Sequence, residues 1–133
     1  MPDDPPEGGI SRWIESARDL EANRFASVKK LHDAGVTILT GTDAGNPGTF
    51  LGYSVHRELA LLVDAGLSPL EALAASTSAA GTFLGRSWGL SDGDEGSVLV
   101  LRASPLEDIR NSEAIESVIQ RGVVVDRAAL LNQ

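Results

Sequence analysis

The chain has 133 residues, of which 11 are basic and 19 acidic, so its net charge of −8 excludes nucleic acid and anionic membrane surfaces as expected partners. Apolar residues make up 42% and charged residues 23%, which is typical of a globular protein and not of a disordered one. Cysteine is absent, which excludes disulfides, thiol catalysis and cysteine-bound metals. The first residues do not form a signal peptide and no long apolar run follows, so a cytoplasmic protein is expected.

Residues 1–10 are rich in proline, glycine and aspartate, and this composition predicts a flexible leader. A helix is predicted from Ser11, which can act as an N-cap, up to Gly35. Within it apolar residues recur mostly three or four positions apart, at Ile14, Ala17, Leu20, Phe25, Val28 and Leu31.

A buried strand is predicted over residues 36–40, because this segment is β-branched and apolar on both of its faces. Such a strand is typical of a parallel sheet covered on both sides. The following loop, residues 41–48, is dense in glycine, asparagine and proline and must turn the chain sharply.

Two further helices are predicted, the first from Ser54 to Ala65 with Gly66 as its stop. The second begins at Ser68, where a serine N-cap is followed by proline and then by glutamate at the third helical position. Its predicted apolar face consists of Leu70, Leu73, Ala74, Phe83 and Leu84.

The last third of the chain is predicted to hold a polar connector over residues 88–96, a strand over 98–101 and a turn over 104–107. A hairpin formed by residues 115–120 and 123–126 ends the chain. A single buried parallel strand cannot form a sheet, which leaves two alternatives. Either the late strands pair with residues 36–40 in a mixed sheet, or the missing strands lie upstream in a larger protein.

Asp43 is the main candidate for chemistry, because it follows the end of a buried strand, where α/β proteins place their ligand-binding groups. A carboxylate there can bind a metal or accept a proton. On spacing alone, Asp43 can equally well accept backbone N–H bonds within its own turn. A phosphate-binding loop is not supported, since no Gly-Lys-Ser/Thr and no Gly-x-Gly-x-x-Gly motif is present.

The segment LHDAGVTILTGTDAG, residues 31–45, resembles the eighth barrel strand of the amidohydrolase superfamily, particularly of its imidazolonepropionase-like and prolidase-like members. The motifs that follow have the order and spacing of that family, and the resemblance extends over residues 24–127. They are HREL at 56–59, VDAGLSPLEAL at 63–73, ST at 76–77, FLG at 83–85 and the segments 98–111 and 118–127. One departure is GDEGS at 93–97, where the family carries Gly-Lys-x-Ala-Asp.

The resemblance implies an α/β fold in two parts. Residues 11–88 would be the C-terminal fragment of a (β/α)8 barrel, with its last strand and helices, and residues 89–133 would supply three strands of a small β-sandwich domain. The parent protein would hydrolyse C–N bonds of a small amide-like substrate through water activated by a divalent metal, with zinc as the expected ion. Its missing N-terminal half and further copies of itself, as a homo-oligomer, would be the partners of this chain.

By the same resemblance, Asp43 would be the last metal ligand and the group that accepts a proton during attack on a carbonyl. Thr42 and Gly45 would shape the loop, and His56 would be a substrate contact or, alternatively, a solvated residue at a helix start. The family's other metal ligands are not in this chain, so the isolated chain is expected to be inactive.

The remaining ionisable residues of the motifs have simpler interpretations. Glu58 is expected to interact with the helix dipole, and His32 is expected to be a surface residue without a function. The competing interpretation of the whole chain is a non-catalytic α+β module that binds another chain.

Overall fold

The computed structural model describes residues 9–86 and 89–131, and its first element, α1, runs over Gly9–Asp33. The predicted helix is therefore confirmed, but Gly9 and Ile10 belong to it and not to a leader. The prediction that Ser11 is its N-cap is wrong, because the helix begins two residues before Ser11. The rest of the predicted leader, residues 1–8, lies outside the described residues. The helix ends because Gly35 takes φ 79° and Val36 donates its N–H to the carbonyl of Leu31.

The second helix, α2, spans Tyr53–Asp64. It is followed by the predicted stop, Gly66, whose φ is 102°. The third, α3, spans Pro69–Ser76 and begins with the predicted capping box, in which Ser68 and Glu71 satisfy each other's backbone N–H groups. The start of α3 and the glycine stop of α2 follow from local sequence signals, whereas α2 begins after Gly52 without a side-chain cap, one residue before the predicted Ser54.

The single helix predicted after Ser68 is wrong, because it is broken at Thr77, where φ is −128° and ψ is −95°. The chain resumes as α4, Ser78–Phe83. Because of this break, the residues after Thr77 do not continue the helical periodicity from which the apolar face was predicted. Three residues of the predicted apolar face, Leu70, Phe83 and Leu84, are exposed by 65%, 75% and 57% of their surface.

Residues 36–40, predicted as a buried strand, are extended but belong to no sheet of the described chain. Thr40 donates its N–H to the carbonyl of Ala75, and Ile38 packs on the core, but Val36 is 47% exposed. The reason is that no second strand lies beside this segment. The mixed-sheet alternative is also wrong, since the late strands pair only with one another.

The late strands form one antiparallel sheet in the order β1 (Val98–Leu101), β2 (Ile115–Gln120) and β3 (Val123–Val124). Val98 faces Ile119, and the register shifts between Val100 and Leu101. The predicted hairpin is confirmed, but its second strand covers only two of the four predicted residues. Its two-residue turn has positive φ at Arg121 and Gly122. A 3-10 helix, Ile109–Glu113, connects β1 to β2, and α5, Arg127–Leu131, follows β3.

The core lies between α2, α3 and the 3-10 helix, and its cluster consists of Leu59, Leu62, Leu67, Ala72, Ala75 and Ile109. The fold is therefore α/β, with helices and a three-stranded antiparallel sheet. None of the helices in residues 9–86 and 89–131 is both long enough and apolar enough to cross a membrane.

Candidate functional site

The loop after the extended segment is closed by the backbone of Asp43 and not by its side chain. The Asp43 carbonyl accepts the N–H of Asn46 at 3.2 Å and the hydroxyl of Thr49 at 3.1 Å. Asp43 itself has φ 47°, the left-handed conformation that costs a non-glycine residue roughly 1–2 kcal/mol. Its carboxylate is exposed and, within the described residues, takes part in no hydrogen bond or ion pair.

The start of the loop is held by Glu58, a residue whose importance the sequence interpretation missed. Its Oε1 accepts the N–H of Gly41 at 2.8 Å, while its Oε2 is buried and has no hydrogen-bond partner in the described part of the chain. A helix-dipole role does not describe this contact. The available signal was spacing, because Glu58 lies four residues from both Ser54 and Leu62, which are buried on the same face of α2.

A second anchor ties the end of the extended segment to α3. The hydroxyl of Ser76 donates to Thr40 Oγ1 at 3.0 Å, beside the backbone bond from Thr40 to Ala75. Thr42 and the loop then border a cavity of about 320 Å³, whose lining is Gly41, Thr42, Gly48, Thr49, Ser54, Arg57, Glu58 and Leu61. Gly45 takes φ 113°, which explains why a glycine suits that turn.

His56 lies on α2 but is engaged elsewhere. Its Nδ1 is 3.0 Å from the hydroxyl of Ser112, a 4% exposed residue of the 3-10 helix. No hydrogen bond connects His56 to the loop that carries Asp43 within the described residues. The structure therefore brings Glu58, Thr42 and Thr49 together around the loop and places His56 at a contact between two helices.

His32 is only partly a surface residue, since its side chain is 27% exposed and its Nε2 lies 3.3 Å from Glu71 Oε1. The pKa of Glu71 is lowered from its usual value, chiefly by the hydrogen bond from the Ser68 side chain and then by the Ser68 N–H. The pKa of Asp33 is lowered mainly by its hydrogen bond with Lys29. The contact of His32 with Glu71 connects α1 to α3, whereas the pair of Lys29 and Asp33 lies within α1.

The loop offers one suitable ligand for a metal ion. The unpaired carboxylate of Asp43 has the chemistry of a single oxygen ligand. However, no group of three or more His, Asp or Glu side chains in the described residues could hold a metal ion. These residues by themselves therefore do not fit a complete metal site.

No family model matches the chain, and no curated protein matches it. Solved structures do. A Bifidobacterium longum protein assigned as a prolidase is 38% identical with a TM-score of 0.70, over 79% of this chain and 29% of its own. Phenylurea hydrolase B is 27% identical with a TM-score of 0.71, over 80% of this chain and 27% of its own. Molinate hydrolase is 25% identical with a TM-score of 0.71, over the same shares.

The chain thus spans between 27% and 29% of the length of these three structures. An amidohydrolase, 25% identical over 76% of this chain, is a further match. The chain matches the amidohydrolase superfamily over about 80% of its length.

Proposed function

We propose that the chain is the C-terminal portion of a metal-dependent amidohydrolase that hydrolyses C–N bonds in small amide-like or urea-like substrates. The observation that carries the proposal is Asp43, an exposed carboxylate without a partner in the described residues, held in a left-handed turn where an extended segment ends. The similarity to a prolidase and to a phenylurea hydrolase supports the choice of C–N bonds.

In the complete protein, a divalent metal, with zinc as the proposed ion, would supply an activated water whose pKa is lowered to about 7. Asp43 would provide one ligand to it and accept a proton at its carboxylate. The bond from Thr49 to the Asp43 carbonyl keeps the loop closed, and Thr42 and Gly45 shape it. His56 would contact a substrate only if its hydrogen bond to Ser112 broke. We therefore assign His56 a lesser role in substrate binding.

The unpaired backbone groups of residues 36–40 support the proposal that more of the protein lies upstream. The N–H groups of Thr37, Ile38 and Leu39 have no hydrogen-bond partner in the described part of the chain. In a barrel, neighbouring strands would satisfy them on both edges. We therefore propose that residues 11–88 complete a barrel and that residues 89–133 belong to a small β-domain, although residues 87–88 at that boundary lie outside the described residues.

Metal content is the direct test. The isolated chain, incubated with zinc or manganese and desalted, is expected to retain no stoichiometric metal and to hydrolyse no Xaa-Pro dipeptide or phenylurea. The polypeptide extended upstream to the length of its structural neighbours is expected to retain metal and to be active. Asp43→Asn should lower the activity of the extended polypeptide by about 10²- to 10⁴-fold.

The control for this test is Asp92→Asn, which changes another exposed carboxylate far along the chain and should leave the activity unchanged. Full activity of Asp43→Asn in the extended polypeptide would contradict the proposed role of Asp43. Stoichiometric metal in the isolated chain, lost in Asp43→Asn, would contradict the proposal that this chain alone is inactive.

A non-catalytic interaction module is the second candidate, and it is favoured by one observation, the lack of a three-ligand cluster in the described residues. The two candidates differ in what lies upstream. Histidine ligands on the same natural polypeptide would support the enzyme, and their absence would support the module.

A further inference from the structure

Glu58 reaches from α2 to the backbone at the base of the Asp43 loop. Its Oε1 accepts the N–H of Gly41 at 2.8 Å, two residues before Asp43. The two groups are 17 positions apart in sequence, so this bond joins a helix to a loop and is not a local turn contact. A hydrogen bond from an N–H to a carboxylate is stronger than one between neutral groups.

The start of the loop has few other connections to the rest of the chain. Asn46 within the loop and Thr49 just after it bond to the Asp43 carbonyl. The bonds between Phe50 and Ser54 attach only the far end of the loop to α2. The bonds of Thr40 to Ala75 and Ser76 hold only the segment before it. Among the described residues, the Glu58 bond is therefore the hydrogen bond that fixes Gly41, and the backbone leading to Asp43, to α2.

We propose that Glu58 is a positioning residue, which holds the loop so that the Asp43 carboxylate keeps its place at the end of the extended segment. This inference rests on the proposed function only because that function gives the reason why the position of Asp43 matters. The contact itself exists in this chain and can be tested without metal or substrate.

The buried Oε2 of Glu58 makes a clean experiment possible. Because this oxygen has no hydrogen-bond partner in the described residues, replacing it with the amide nitrogen of glutamine removes no bond. The carbonyl oxygen of the glutamine can still accept from Gly41. Glu58→Gln should therefore preserve the contact, whereas Glu58→Ala removes it and Glu58→Asp withdraws the carboxylate by one methylene.

The test is hydrogen exchange of the Gly41 amide, measured by NMR on the whole isolated chain. Glu58→Ala is expected to speed up exchange at Gly41 by about 10- to 100-fold, because it removes a bond to a charged acceptor. Glu58→Gln keeps a neutral acceptor for the Gly41 N–H, so its exchange rate should lie between that of Glu58→Ala and that of the original chain. Glu116→Ala, which removes an exposed glutamate on β2, is the matched control.

A purely structural loss would accelerate exchange throughout the molecule, so two hydrogen-bonded amides at the sheet serve as an internal reference. They are Arg102, which donates to the carbonyl of Ala114, and Val125, which donates to the carbonyl of Val118. Should Glu58→Ala fail to fold, Glu58→Asp gives the same comparison with the charge retained. An unchanged Gly41 rate in both variants, or equal acceleration at Arg102 and Val125, would overturn the proposal. Failure of the proposed function is read separately, from the metal content of the extended polypeptide.

Discussion

Ser68 and Glu71 form the most complete local hydrogen-bond arrangement in the described chain. Glu71 Oε2 accepts both the N–H and the hydroxyl of Ser68 at 2.7 Å, and Ser68 Oγ accepts the N–H of Glu71 at 3.3 Å. These bonds satisfy backbone donors that the start of α3 would otherwise expose. The residue pair therefore determines where α3 begins.

Replacing Ser68 by alanine is expected to lower the free energy of unfolding by about 1 kcal/mol, because the N-cap acceptor is lost. Urea denaturation followed by circular dichroism measures this change. Ser78→Ala, at an exposed serine of α4, is the control and should change it by less than about 0.5 kcal/mol. Equal effects of the two substitutions would mean that the cap contributes nothing.

The lowered pKa of Glu71 predicts a dependence of stability on pH. Because its folded-state pKa lies below the usual 4.5, Glu71 stabilises the fold above pH 4.5, and this contribution is lost as the pH falls through the folded-state value. The pKa of Asp33 is also lowered, from its usual 3.8, so Asp33 likewise contributes stability that is lost in acid.

The measurement is urea denaturation at neutral pH and at several values below pH 4.5. Glu71→Gln is expected to make the decline of stability in acid less steep than in the unchanged chain. Asp33→Asn separates the second contribution, since it should leave the part due to Glu71 intact. Identical acid profiles for the chain and Glu71→Gln would contradict the assignment.

At the scale of elements, the 3-10 helix connects the sheet to the helices. Ile109 is 3% exposed and belongs to the same core cluster as Leu59 and Leu62 of α2. Ser112, from the same turn, bonds to His56 of α2. The 3-10 helix therefore packs the connection between β1 and β2 against α2.

Ile109→Ala is expected to destabilise the chain by about 2–5 kcal/mol, because it removes a buried side chain and leaves a cavity. For a core of this size, such a loss is comparable with the whole stability. Thermal unfolding monitored by circular dichroism is the measurement. Leu106→Ala, at a leucine that is 55% exposed, should have a small effect, and a large one would show that the two positions are not distinguished by burial.

At the scale of the whole molecule, several large apolar side chains of the described residues lie exposed. Among them are Phe50, Leu51 and Leu90, which are 66%, 87% and 84% exposed. Surface of this kind is typical of a chain that packs against further polypeptide.

We expect the isolated chain to self-associate through residues 36–40, whose edges are unpaired in the described structure. Sedimentation velocity at rising concentration measures this. Val36→Lys should shift the distribution toward the monomer, because a charge on an extended edge opposes pairing. Leu106→Lys is the control outside this edge, and a clean monomer at high concentration for the unchanged chain would contradict the expectation.

Much of the fold could be predicted from short-range signals. The start of α3 at Ser68, the stop at Gly66 and the turn at Arg121 and Gly122 each depend on a few adjacent residues. Asp43 could be chosen as a candidate for the same reason, since it follows a recognisable apolar segment and lies in a recognisable turn. The neighbours found among solved structures confirm the resemblance that those motifs indicated.

What could not be predicted depends on contacts between residues far apart in sequence. The break at Thr77 and the exposure of Phe83 follow from how α4 packs, which periodicity within one helix does not determine. The bond of Glu58 to Gly41 and that of His56 to Ser112 arise only when α2 meets the loop and the 3-10 helix.

The sequence by itself determined the main helices α1 and α2, the cap of α3, the hairpin and the resemblance to the superfamily, because these depend on local conformational preference and on motifs read in order. Only the tertiary structure decided which polar groups meet and whether residues 36–40 find a partner. The physical reason is that a strand is completed by hydrogen bonds to other strands, so its own residues specify its tendency to extend but not the neighbours that would satisfy it.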